Sequence, residues 1–115
     1  MFLANREEKI FWTKHSKAKM QQYRFSEKRV LSILRSPDRK EVGIAPKTIA
    51  AMQISETTKH PSEVWMMCAF INRTAANKKE RIISIISAWR YPGRTPLGQQ
   101  PVIPQDTLEE LGLLK

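Results

Sequence analysis

The chain has 115 residues, 41% hydrophobic and 27% charged, with 20 Lys and Arg against 11 Asp and Glu for a net charge of +9. That length suits one domain, and folding at this size removes roughly two-thirds of the unfolded surface from water, enough for a core without covalent staples. The single cysteine, Cys68, excludes an internal disulfide, which suits a reducing cytosol, and one Cys with two separated His cannot build a zinc site.

The opening "MFLANREEKIFW" holds too few apolar residues before its charges to be a signal peptide or a membrane span. A pI near 10.1 points to a polyanionic partner: RNA, DNA or an acidic protein.

In chain order, "KIFW" is a short strand candidate ending at Thr13, whose hydroxyl can cap a helix. In that helix Ser16, Met20 and Tyr23 fall at inward-facing spacing, while His15, Lys19 and Gln22 share a neighbouring stripe. Arg24 and Phe25 make the turn, and Ser26 caps a second helix with Glu27 in its first turn. Val30, Ile33 and Leu34 form its apolar face, and Pro37 ends it.

Beyond "SPDRK" the period becomes that of strands. "EVGIAP" is a weak edge strand and "TIAAMQIS" a better one. "EVWMMCAFI" is apolar on both alternating faces and should be central and covered on both sides. "ERIISIISAW" should pair with it antiparallel, the polar insert "NRTAANKK" forming a connection longer than a tight hairpin. "RYPGRTPLGQQPVIP" holds four of the seven prolines and two of the four glycines, so it should be an extended surface segment wrapping the domain. "QDTLEELGLL" closes as a short helix carrying Leu108 and Leu111. The expected class is α+β: two N-terminal helices packed on a small antiparallel sheet of about four strands, then the extended segment and the short helix.

No GxGxxG, P-loop, HExxH or GxSxG motif is present. Cys68 sits in the most apolar run, where a thiol is inert packing, and His60 before Pro61 reads as a turn residue. The carboxylates form no acid/base pair, so neither a metal nor a cofactor is expected. What remains is cationic. His15 and Lys19 are one helical turn apart, Arg24 follows at the helix exit, Arg81 opens the last strand, and Arg90 with Tyr91 closes it.

Metal-free RNA cleavage uses these residue types: a base for the 2′-OH, cations for the charge building on phosphate, and an acid for the leaving oxygen. Arginine suits the phosphate role through its bidentate fork. Tyr91 or Trp89 would stack on a base, with Lys14, Lys78, Lys79 and Arg94 adding backbone contacts. The bland alternative is that these are solvated helix faces and strand-end arginines.

The run "FWTKHSKAKMQQYRFSEKRVLSILRSPDR" places His15, Ser16, Lys19, Met20, Arg24, Phe25, Ser26, Val30, Leu34 and Pro37 in a pattern that resembles the opening of a large uncharacterised family of small bacterial and archaeal proteins. The closing "ERIISIISAWR" is similar to the final strand of BrnT-type toxins. Both groups are akin to RelE-like ribonuclease toxins. Over about residues 9–94 the resemblance implies a single RelE/BrnT-like domain spanning 1–115, with 92–115 as a C-terminal extension. It also implies metal-independent cleavage of RNA, perhaps ribosome-bound, and restraint by an acidic antitoxin protein. Lys19 stands where many relatives have Arg, which keeps the charge and loses the fork. Three functions follow as expectations: a cytoplasmic endoribonuclease of toxin type, a non-catalytic nucleic-acid-binding module using the same basic face, or an interaction protein meeting an acidic partner. None involves a membrane.

Overall fold

The computed structural model describes residues 7–57 and 60–113. The stretch "MFLANR", on which the expectation of no signal peptide rests, lies outside the described residues, as does the last leucine of "QDTLEELGLL". The elements are β1 (Glu7–Trp12), α1 (Lys14–Tyr23), α2 (Glu27–Arg35), β2 (Arg39–Val42), β3 (Ile49–Thr57), β4 (His60–Ala75), β5 (Lys78–Pro92) and α3 (Gln105–Glu110). The five strands form one sheet in the order β1-β5-β4-β3-β2, antiparallel except for β1, which runs parallel to β5.

This overturns the expected fold. The sheet is mixed and has five strands, not an antiparallel set of about four, and strand outweighs helix. Nor do the two N-terminal helices share a four-stranded sheet: α1 packs against β5, whereas α2 lies over β3 and β4. The cause is β1. It leaves the sheet at Trp12, opposite Ile85, and Thr13 turns the chain directly into α1 beside the rest of β5. The Thr13 hydroxyl donates to the Ile85 carbonyl at 2.9 Å and accepts from the Ser16 amide at 3.0 Å, so one side chain ends the strand and caps the helix.

α1 ends where Arg24 takes a left-handed conformation, with φ at 61°. The Phe25 amide then donates back to the Met20 carbonyl at 2.8 Å. Ser26 caps α2 by accepting from the Arg29 amide at 3.0 Å.

β4 and β5 are longer than expected. The polar insert is not a loop: both strands run through it and meet at Ala76 and Asn77, whose φ values of 50° and 64° suit a tight two-residue hairpin turn. His60 opens β4 and is no turn residue. The weak edge strand falls at Arg39–Val42, earlier than "EVGIAP".

Two clusters form the core, one on each face of the sheet. The helix face gathers Met20, Phe25, Val30, Ile33, Val64, Met66 and Ile83. The other gathers Met52, Trp65, Met67 and Trp89, and receives Ile103 and Leu111 from the C-terminal segment. That segment is therefore a strap. β5 carries a bulge: Met67 faces Ser87 and Cys68 faces Ile85, leaving Ile86 as the extra residue. The shift turns Ser87 toward the strap, where it meets α3.

Candidate nucleic-acid interface

The proposed catalytic residues do not converge. His15, half-buried on α1, places Nε2 3.1 Å from the Thr107 hydroxyl on α3, and that hydroxyl lies 2.8 Å from the Ser87 hydroxyl. Lys19 is 3% exposed. Its ammonium donates to both Asp106 oxygens, at 3.2 and 3.0 Å, and to Gln22 at 3.1 Å, and it lies 5.1 Å from the centre of the Tyr23 ring. Both residues thus turn toward the strap.

Arg90 projects on the helix face instead, over Phe25 at 5.4 Å, and donates to the Ser62 hydroxyl at 2.8 Å. Arg81 lies on that face too, nine positions earlier on β5, a separation of about 30 Å along an extended strand. Arg24 is exposed at its helix cap.

The stacking candidates are also occupied. Trp89 is buried and stacks on Trp65 with ring centres 6.3 Å apart, and Tyr91 packs against the same cluster. Lys14 is exposed at the start of α1, Lys78 and Lys79 at the hairpin tip, and Arg94 on the strap, so the expected backbone-contact residues are dispersed.

Removal of the His15–Thr107 contact has a modest expected cost. In His15→Ala, Thr107 keeps Ser87 as partner. Stability should fall by about 1 kcal/mol, one net hydrogen bond, read from a denaturant midpoint.

Asp106 supplies a pH dependence. Burial pushes its carboxyl up, but the hydrogen bond and charge of Lys19, with the charge of His15 nearby, hold it below its ordinary value of 3.8. A carboxylate with a depressed folded pKa contributes stability that is present above its unfolded pKa and lost as pH falls through the folded one. Asp106→Asn should therefore show a shallower loss of melting temperature than the parent chain when pH is lowered below about 4.

A different arrangement does gather cations. Past the end of α2, the helix face of the sheet forms a groove of about 640 Å³. Arg35 from α2, Lys40 from β2 and Arg81 from β5 stand around it, over a floor that includes Leu34, Ile49 and Phe70. The Arg81 guanidinium lies 4.1 Å from the centre of the Phe70 ring, and Glu8 of β1 approaches it at 3.9 Å. Among the described residues that line the groove none is a carboxylate, and Glu8 stands beside it at Arg81.

Arg81 was the one groove cation singled out from the sequence. No local pattern links Arg35, at the end of α2, with Lys40, one of the four consecutive charges at 38–41. Their shared face exists only once β2 pairs with β3 and sets Lys40 opposite Ala51.

Cys68, beneath this face, is inert: burial pushes its thiol up to about 11 against the lowering influence of Arg81. Among the described residues, no three of His, Cys, Asp and Glu come together as a metal site, and no helix is long and apolar enough to cross a membrane. No family model, curated protein or solved structure matches the chain.

Proposed function

We propose that this protein is an RNA-binding module whose ligand lies along the helix face of the sheet. The observation that carries this reading is the groove: three cations from three separate elements around one concavity, in a chain of net charge +9. Cations so placed neutralise neighbouring phosphates and release their counterions, which supplies affinity without any metal. Arg35 and Arg81 can each hold two phosphate oxygens, and Lys40 adds a point charge.

Binding without cleavage is the better supported of the two RNA functions. A general base has to reach the 2′-OH, and His15 faces Thr107 while the neighbouring ammonium is committed to Asp106. A cytoplasmic location accompanies the reading, since RNA is met there and the sole cysteine is a buried thiol.

The test is the affinity for a labelled single-stranded RNA across a salt series. The logarithm of the association constant should fall linearly with the logarithm of salt, by about 0.7 per neutralised phosphate, so three contacts give a slope near 2. Arg35→Glu with Lys40→Glu should weaken binding at least tenfold. Replacing Lys78 and Lys79 by Ala should weaken it less, and equally for all sequences. RNA incubated with the protein in EDTA should stay intact. An affinity unchanged from about 50 to 200 mM salt would reject RNA as the ligand and leave an acidic protein as the partner for the basic surface.

A further inference from the structure

The groove is more specific than its charge. Phosphates alone are served by cations on an open polar surface, as at the hairpin tip. Here the cations ring an apolar floor that a phosphate cannot use, and Val42, paired with Ile49 at its margin, is 71% exposed. The strap covers the opposite face of the sheet, and α2 stops at Arg35, so the floor remains open. A ligand that satisfies both parts carries negative charge on a backbone and a flat apolar surface beside it. Nucleobases have that surface, but in a duplex their faces are stacked on one another and only their edges are reachable. An unpaired base can be splayed out and laid on an aromatic ring or a guanidinium. Phe70 and Arg81 offer the two together.

We propose that the groove is a single-strand site, a reading that rests on RNA binding as proposed above. One unpaired base lies on the floor beside Phe70 and Arg81, while Arg35, Lys40 and Arg81 hold the phosphates on either side of it. Lys40 on β2 and Arg81 on β5 are three strand spacings apart, about 14 Å across the sheet, and the register sets Lys40 level with Met66 and Arg81 level with Asn72, about 20 Å further along β4. The two side chains therefore reach the groove from opposite ends, and the phosphates they hold flank the base at more than one nucleotide's spacing. The strand continues toward the hairpin tip. Lys79 lies two residues from Arg81 on β5, so both project from the same face and prolong one cationic track.

The experiment compares three competitors for the protein: a short single-stranded RNA, a blunt duplex containing the same sequence, and inorganic polyphosphate of equal charge. The single strand should bind at least tenfold more tightly than either of the others. Phe70→Leu keeps an apolar side chain on the floor and removes the ring. It should lower single-strand affinity at least about fivefold, the lower end of what one stacked base contributes, and leave polyphosphate binding unchanged. A crosslink from 4-thiouridine-labelled RNA to the peptide bearing Phe70 in the unaltered protein provides a second measurement, independent of whether the variant folds. Equal binding of RNA and polyphosphate, with crosslinks mapping elsewhere, would overturn the base site while leaving a phosphate-directed RNA interaction standing. Failure of every nucleic acid to bind would remove both readings.

Discussion

Glu63→Ala should destabilise the fold by about 3 kcal/mol, although Glu63 lies outside the groove. The residue is 2% exposed on β4, facing the strap. Its carboxylate accepts from the Trp65 indole N–H at 3.0 Å, from the Thr95 amide at 2.9 Å and from the Thr95 hydroxyl at 2.7 Å. A buried carboxylate is tolerated when donors surround it, and bonds to a charged acceptor exceed those between neutral groups. Alanine removes the acceptor and leaves three donors orphaned at once. Each costs about 1–3 kcal/mol if it stays dry, so 3 kcal/mol allows for relaxation and entry of water. The melting temperature should drop by roughly 10 °C. Glu63→Gln, which keeps one carbonyl acceptor, should lose less. A change within about 0.5 kcal/mol, the range of an unremarkable surface substitution, would mean that the strap is held by other contacts.

That bond set shows why the strap was legible as extended chain but not as half of the core. Its prolines and glycines announce irregular backbone directly. The partners that hold it are remote: Arg39 of β2 donates to the Thr95 carbonyl, 56 residues on, and its guanidinium sits 5.7 Å from the Trp65 ring. The same distinction runs through the fold. The caps at Thr13 and Ser26 and the apolar runs of β3, β4 and β5 are short-range patterns, and reading them along the chain found them.

β1 was seen as a strand, but its place parallel to β5 joins residues more than seventy positions apart, which no local period encodes. "NRTAANKK" shows no strand period, because the outer part of a two-stranded ribbon is solvated on both faces and has no apolar alternation to display. At the site, His15 and Lys19 were correctly grouped on one stripe. Their surroundings were not legible there, because the countercharge, Asp106, lies 87 residues away. A Lys at helical spacing beside a His looks like a functional cation until the partner that neutralises it is placed.

Ending the chain at Gly93 should have the largest effect of all: the remaining protein should not unfold cooperatively at physiological temperature. The deletion removes Ile103 and Leu111 from the cluster around Trp65 and Trp89; such a side chain contributes about 1.5–3 kcal/mol when fully buried, and these two, half-buried, contribute about half of that each. It takes Thr95 from Glu63 and Thr107 from Ser87, so buried polar groups on β4 and β5 lose their partners. It also strips Asp106 from Lys19. Breaking a buried pair costs about 3–5 kcal/mol, less here because the Asp106 side chain is 50% exposed and Gln22 remains. Together these losses approach the whole stability of an ordinary domain, about 5–15 kcal/mol. Circular dichroism on heating should show a broad, shallow transition, and a dye that reports exposed apolar surface should bind at room temperature.

A truncated chain that still melts sharply would show that the first 93 residues carry their own core. Such a chain would also present His15 and Lys19 to solvent, so its behaviour toward RNA in EDTA would then be decisive. Cleavage that appears only on deletion would identify α3 as a cover over a catalytic pair and restore the ribonuclease function. Intact RNA would leave both residues as the strap's anchors on α1, which is the role that their distances to Thr107 and Asp106 assign them.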